Sequence, residues 1–133
     1  MSLRLLAGYV AGLLVLGALD AVWLGYLARD FYKEGIGHLM APSVRIGPAA
    51  AFYLLFPLGV MIFAVQPALA EGSLLRAALL GALFGFFCYA TYDLSNWATL
   101  RDWPLRVALV DMAWGTLAGA VVATVATYTA SKL

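Results

Sequence analysis

Hydrophobic positions run almost unbroken for about twenty residues at four places in this chain, and polar residues gather between the runs. A helix needs about 20 mainly apolar residues, each rising about 1.5 Å, to cross a bilayer. The pattern predicts membrane-spanning helices over residues 3–28, 47–65, 74–97 and 105–129. The expected fold is therefore all-α: one domain over residues 1–133, a bundle of four transmembrane helices in up-down topology. Some runs exceed what a perpendicular crossing needs, so tilt or protruding ends are expected. The apolar run over residues 5–24 is too long for the core of a cleavable signal and suits a span.

The connections differ in character. Residues 29–46 carry Asp30, Lys33, Glu34, His38 and Arg45, interleaved with Phe31, Tyr32, Ile36, Leu39 and Met40. That alternation predicts a short interfacial amphipathic helix after the first span, against the helix-weakening Gly35 and Gly37. Residues 66–73 are expected to form a tight turn on Pro67 and Gly72, with Ser73 capping the third span. Residues 98–104 form another, in which Asp102 is positioned to cap the fourth span and Pro104 to enter its first turn.

Composition agrees with a membrane protein. The chain is 65% hydrophobic and 11% charged, against about 45–50% and about 25% in soluble domains. A net charge of +1 leaves no basic stripe for nucleic acid. One His and one Cys exclude a His/Cys zinc site within one chain, and no haem-ligating His pair exists. No cofactor and no metal are implied. The expected partners are the lipid bilayer, a small-molecule or lipid ligand, and a second copy in a homo-oligomer.

Three acids interrupt the apolar runs: Asp20, Asp93 and Asp111. An intramembrane carboxylate is costly, so each marks a candidate functional site. In an up-down bundle all three lie roughly 5–12 Å beneath one surface. Each also continues a stripe of small residues: Gly8, Gly12, Leu16 and Asp20; Gly81, Gly85, Tyr89 and Asp93; Asp111, Gly115 and Gly119. Residues four apart share a helix face, and small residues mark the faces where membrane helices approach closely. The acids are therefore expected to point into the bundle.

A second regularity is Asp-x-x-Trp, at Asp20–Trp23 and Asp111–Trp114, with Asp93–Asn96 in the same relation. Residues at i and i+3 are neighbours on a helix, so an indole N–H or an Asn amide can donate to the acid. Trp97 and Trp103 are assigned to the aromatic belt at the interface; Trp23 and Trp114 are candidates to line a pocket. Pro57 lies mid-span and should kink the helix, freeing a carbonyl near Tyr53 as a possible ligand.

Several chemistries drop out. Lys33 and Lys132 lie outside the spans, so no buried Schiff-base lysine is available. The segment after Asp93 lacks the Gly-x-Gly-Asp element of an intramembrane aspartyl protease, and the acid spacing does not fit membrane phosphatidyl transferases. No glycine loop for phosphate is present. The basic residues divide five against three: Arg29, Lys33, Arg45, Arg101 and Arg106 on one side, Arg4, Arg76 and Lys132 on the other. This bias places the richer connections in the cytoplasm and both termini on the non-cytoplasmic side.

The segments Leu19-Asp20-Ala21-Val22-Trp23-Leu24 and Tyr89-Ala90-Thr91-Tyr92-Asp93-Leu94-Ser95-Asn96 carry a family resemblance. With Phe52-Tyr53 and the Asp-x-x-Trp-Gly at 111–115, the chain resembles the bacterial predicted membrane proteins with the domain-of-unknown-function tag 2177. Ser95 stands where that pattern favours Thr, and the hydroxyl is retained. The resemblance covers nearly the whole chain and implies a small multi-pass protein of the bacterial inner membrane. It supplies no reaction.

The residues leave three roles open for the acids: interhelical glue, a ligand, ion or proton site, and catalysis. The expectation carried forward is a non-catalytic protein with a polar pocket. Asp20, Asp93, Asn96 and Asp111 would form its floor, and Trp23, Tyr53, Tyr92 and Trp114 its walls. It would take a cation, a proton or a small amphipathic ligand, and acids held close together would share protons. The rivals are a membrane-embedded enzyme acting on a lipid or isoprenoid, a proton-coupled transporter working as an oligomer, and an accessory subunit of a larger complex.

Overall fold

Apolar side chains all round a helix leave it two environments, lipid or the middle of a bundle, and both occur here. The computed structural model describes residues 2–133, which contain helices and no strand. Four helical stretches are long and apolar enough to cross a membrane: Leu3–Leu27, Ile46–Glu71, Leu74–Thr99 and Leu105–Ser131. In chain order the α-helices are α1 (Leu3–Val22), α2 (Arg29–Ile36), α3 (Ile46–Val60), α4 (Gln66–Glu71), α5 (Leu74–Thr99) and α6 (Leu105–Ser131). Ser2 caps α1, and Ser73 caps α5 by accepting the Arg76 N–H at 3.0 Å.

The tightest packing joins α5 to α6. Gly81 and Gly85 lie against the backbone of Gly119 and Gly115, and a methyl group on either glycine would run into a carbonyl oxygen. The pairs 81–119 and 85–115 show that these two helices run in opposite directions. On α1 the buried residues are Gly8, Gly12, Leu16 and Asp20, the small-residue stripe and its acid. This face meets Val122 and Ala126 of α6, also antiparallel. Leu16, Val60, Met61, Ala64, Val65, Ala118 and Val122 fill the core between the helices. Outward, Leu14, Leu55, Phe63, Leu75, Phe87 and Leu117 are exposed. This is the arrangement a lipid solvent allows, with close contact between small residues inside and large apolar groups outside.

The second span differs from its predicted limits. It continues through Gln66–Glu71, and only Gly72, with φ +65°, breaks it. A π-turn over Met61–Val65 precedes Pro67. Such a widened turn changes the hydrogen-bond register, so the proline's missing donor does not end the helix. Pro57 lies inside α3, and near it the Leu54 carbonyl accepts the Tyr9 hydroxyl at 2.8 Å, which ties α1 to α3.

The N-terminal half of the second span rests on α1 and α6, while its C-terminal half packs on α5. Toward the N-terminal end of α3 the two helices part, bridged by the rings of Phe56, Phe84 and Tyr89. A lateral groove results. At the same end of the bundle, α1 closes in a π-turn (Trp23–Leu27) and α2 folds back across α6. Tyr32 and Gly35 are the buried residues of α2. Gly35 sits where any side chain would strike Val107, so the residue that weakens the helix is also the one that lets it dock.

Candidate functional site

Each acid reaches the interior because it extends a buried stripe. Asp20 is 5% exposed, Asp93 0% and Asp111 8%. They do not form one knot. Asp20 accepts from the Tyr53 hydroxyl at 2.7 Å and from the Trp114 indole N–H at 3.0 Å. Asp111 accepts from the Tyr32 hydroxyl at 2.8 Å, and that oxygen in turn accepts the Trp23 indole N–H at 3.1 Å. The two halves meet where Trp23 stacks on Trp114, ring centres 4.7 Å apart and 7° from parallel. Among the described residues no three acid, His or Cys groups come together as a metal site would need.

The Asp-x-x-Trp spacing was expected to pair each acid with its own tryptophan. Instead each indole crosses to another element: Trp114 serves Asp20 on α1, and Trp23 serves Tyr32 on α2. The ring stack fixes both indoles and turns their N–H groups away from the acids of their own helices. Asn96 is half-buried and forms no side-chain hydrogen bond among the described residues. The neighbouring Ser95 hydroxyl bonds back to the carbonyls of Thr91 and Tyr92. Trp103, assigned to the interfacial belt, is buried against Ala28, Tyr32, Val107 and Ala108, with Tyr92 edge-on at 5.6 Å.

Tyr32 was read from the sequence only as part of an amphipathic connection, yet it holds Asp111. Its signal was its place on the apolar face of α2. Burial pushes its phenol well above the ordinary tyrosine value; the Trp23 N–H opposes this and the nearby Asp111 adds to it. Tyr32 therefore stays a donor.

Asp93 is the exception in this network. Both its oxygens are buried and neither has a donor among the described residues. Its neighbour is the Asp111 carboxyl. Two carboxyl groups can bond one another only when one carries a proton, so the pair either shares a proton or faces a cation from outside the chain.

Two cavities converge here. A groove of about 660 Å³ lies between α3 and α5, lined by Phe52, Phe56 and Phe84, with Asp20, Tyr53 and Asp111 at its polar end. A second cavity, about 850 Å³, lies under α2 and the following loop and includes Arg29, Lys33, His38, Trp103 and Asp111. Leu24, Tyr92 and Asp111 border both. Asp93 lines neither and lies behind Asp111. Of the eight residues singled out from the sequence, Asp20, Tyr53, Tyr92, Asp111 and Trp114 line the groove. Trp23 backs it through the stack, and Asn96 stands outside.

Fold and site together define a small helical membrane protein with buried acids at one end. The chain belongs to the family described as predicted membrane protein (DUF2177), whose profile matches residues 5–128. Comparison with curated proteins and with solved structures finds no match.

Proposed function

We propose that this protein binds a small amphipathic ligand with a cationic, amine-type head, held at Asp111 with Asp93 behind it and its apolar part in the groove between α3 and α5. Asp93 carries the proposal. Asp20 has two donors, and interhelical hydrogen bonds averaging about 0.6 kcal/mol each are an adequate structural role for it. Asp93 has none, and burying a polar group without a partner costs roughly 2–7 kcal/mol. Glue explains the first acid and not the second. A proton shared with Asp111 satisfies Asp93 without ligand, and a cationic head displaces it.

The groove suits the other half of such a ligand. Its volume falls in the range of about 300–1,000 Å³ usual for small-molecule sites, and its walls are mainly aromatic. In an up-down bundle this end lies in the cytoplasmic leaflet of a bacterial inner membrane, since the basic connections flank it.

The test uses the Trp23–Trp114 stack as an internal reporter. Purified protein in mild detergent is titrated with a long-chain alkylamine and with the alcohol of equal chain length, following tryptophan fluorescence and thermal stability. The amine should stabilise and perturb the stack more than the alcohol, and Asp111→Asn should abolish the difference. Equal responses to amine and alcohol would overturn the proposal. A lipid-modifying enzyme is the alternative, favoured by Asp20 and Asp111 bordering one groove as a potential acid and base. Product formation from mixed lipids, lost in Asp20→Asn, would support it.

A further inference from the structure

The cavity under α2 has the opposite character to the groove it adjoins. Arg29 and Lys33 stand one helical turn apart on α2, and neither is in an ion pair among the described residues. His38 lies beside them, 3.4 Å from Asp102. Asp102 does not cap α6, because the helix starts at Leu105 and its N-cap position falls on Pro104. Trp103 lines the same cavity, is 8% exposed, and its indole N–H has no acceptor among the described residues. A buried N–H without an acceptor is costly enough to demand a partner. The one acid in the lining, Asp111, accepts from the Tyr32 hydroxyl at one oxygen and makes no bond to the Trp103 N–H.

We infer that this cavity holds the phosphate group of a lipid headgroup from its own leaflet. Arg and Lys supply charge-assisted bonds to phosphate oxygens, and the unpartnered Trp103 N–H is a third donor among the lining residues. Phosphate fits better than a carboxylate because Arg29 and Lys33 on α2 and Trp103 from another segment offer more donors than a carboxylate's two oxygens readily take. Depth argues for a lipid source. Helix α2 begins two residues after the first span ends at Leu27, where the headgroup layer begins. The shared border at Leu24 and Tyr92 leads from the phosphate position straight into the apolar groove, so one molecule can occupy both. The inference extends the amine site and can fail separately from it.

The experiment compares three probes on purified protein in mild detergent: short-chain phosphatidate, the diacylglycerol with the same chains, and inorganic phosphate. Thermal stability and tryptophan fluorescence are the readouts. Phosphatidate should stabilise more than diacylglycerol, and Arg29→Gln with Lys33→Gln should weaken its binding about tenfold or more. Both side chains are on the surface, so the fold is expected to persist. Trp103→Phe should weaken phosphatidate and leave the response to alkylamine in place. Inorganic phosphate matching phosphatidate would replace the lipid source with free phosphate and overturn the inference as stated. Equal responses to phosphatidate and diacylglycerol, or an unchanged response in the Arg29/Lys33 variant, would also overturn it, whatever alkylamine does.

Discussion

Tyr32 shows how one side chain joins the interfacial helix to the buried acids. Its hydroxyl donates to Asp111 while its oxygen accepts from Trp23, so the folded state requires the protonated phenol. Burial raises its folded-state pKa above the ordinary value of 10.0. A raised pKa contributes stability that is complete below the unfolded value and is lost as pH climbs past it toward the folded one. Stability should therefore fall above about pH 10, and Tyr32→Phe should make that fall shallower while lowering stability at neutral pH by about 0.5–1.5 kcal/mol. Thermal unfolding across an alkaline pH series checks both signs; an unaltered alkaline slope in the variant would show that Tyr32 is not the group involved. The acids themselves were legible in the sequence because a carboxylate is conspicuous among apolar neighbours. Tyr32 was not, because a tyrosine in an amphipathic connection is unremarkable until the chain folds back.

Helix faces were legible for the same reason the acids were: a four-residue repeat of small side chains maps onto one side of a helix. The structure places Gly8, Gly12, Gly81, Gly85, Gly115 and Gly119 at close approaches between helices. Gly17 also lies in the first span, off that repeat, and a methyl there meets nothing within 4 Å. The two kinds of glycine should respond in opposite ways. Gly85→Ala forces α5 away from the Gly115 carbonyl and should destabilise by about 1–3 kcal/mol. Gly17→Ala relieves the helix of a flexible residue and should be neutral or stabilise by up to about 1 kcal/mol. Unfolding of each variant in graded denaturing detergent compares them, and equal effects would contradict the packing described. Helix ends were less legible. Pro67 and Gly72 together predicted a turn, yet only the glycine ends the helix, because the π-turn at Met61–Val65 lies just ahead of the proline. The tryptophan partners escaped for a related reason. Spacing within one helix locates an indole, but the direction of its N–H is set by contacts from other helices.

At the scale of the whole molecule, four runs of apolar residues were enough to indicate four spans, since no other fold accommodates them. What length and hydropathy do not fix is which way the bundle faces, and both proposed sites depend on it. They open at the end carrying the connections over 28–45 and 100–104, which with Arg106 in the first turn of α6 holds five of the eight basic residues. The proposed orientation, resting on the charge bias, puts that end on the cytoplasmic side. Phosphate-bearing lipids are present in both leaflets, but anionic headgroups dominate the potential of the cytoplasmic one, so a cavity with free Arg29 and Lys33 gains most there. The native Cys88 is the chain's single cysteine, so its replacement by Ala gives a background for placing one thiol at a time. Ala41 lies in the connection before the second span and Glu71 is the span's last residue, so the two exposed positions mark its opposite ends. In intact cells a membrane-impermeant maleimide should label Glu71→Cys and spare Ala41→Cys, and permeabilised cells should show labelling at both. Labelling of position 41 in intact cells would invert the bundle and move both sites to the outer leaflet, where the electrostatic argument for a phosphate at Arg29 and Lys33 loses its strength.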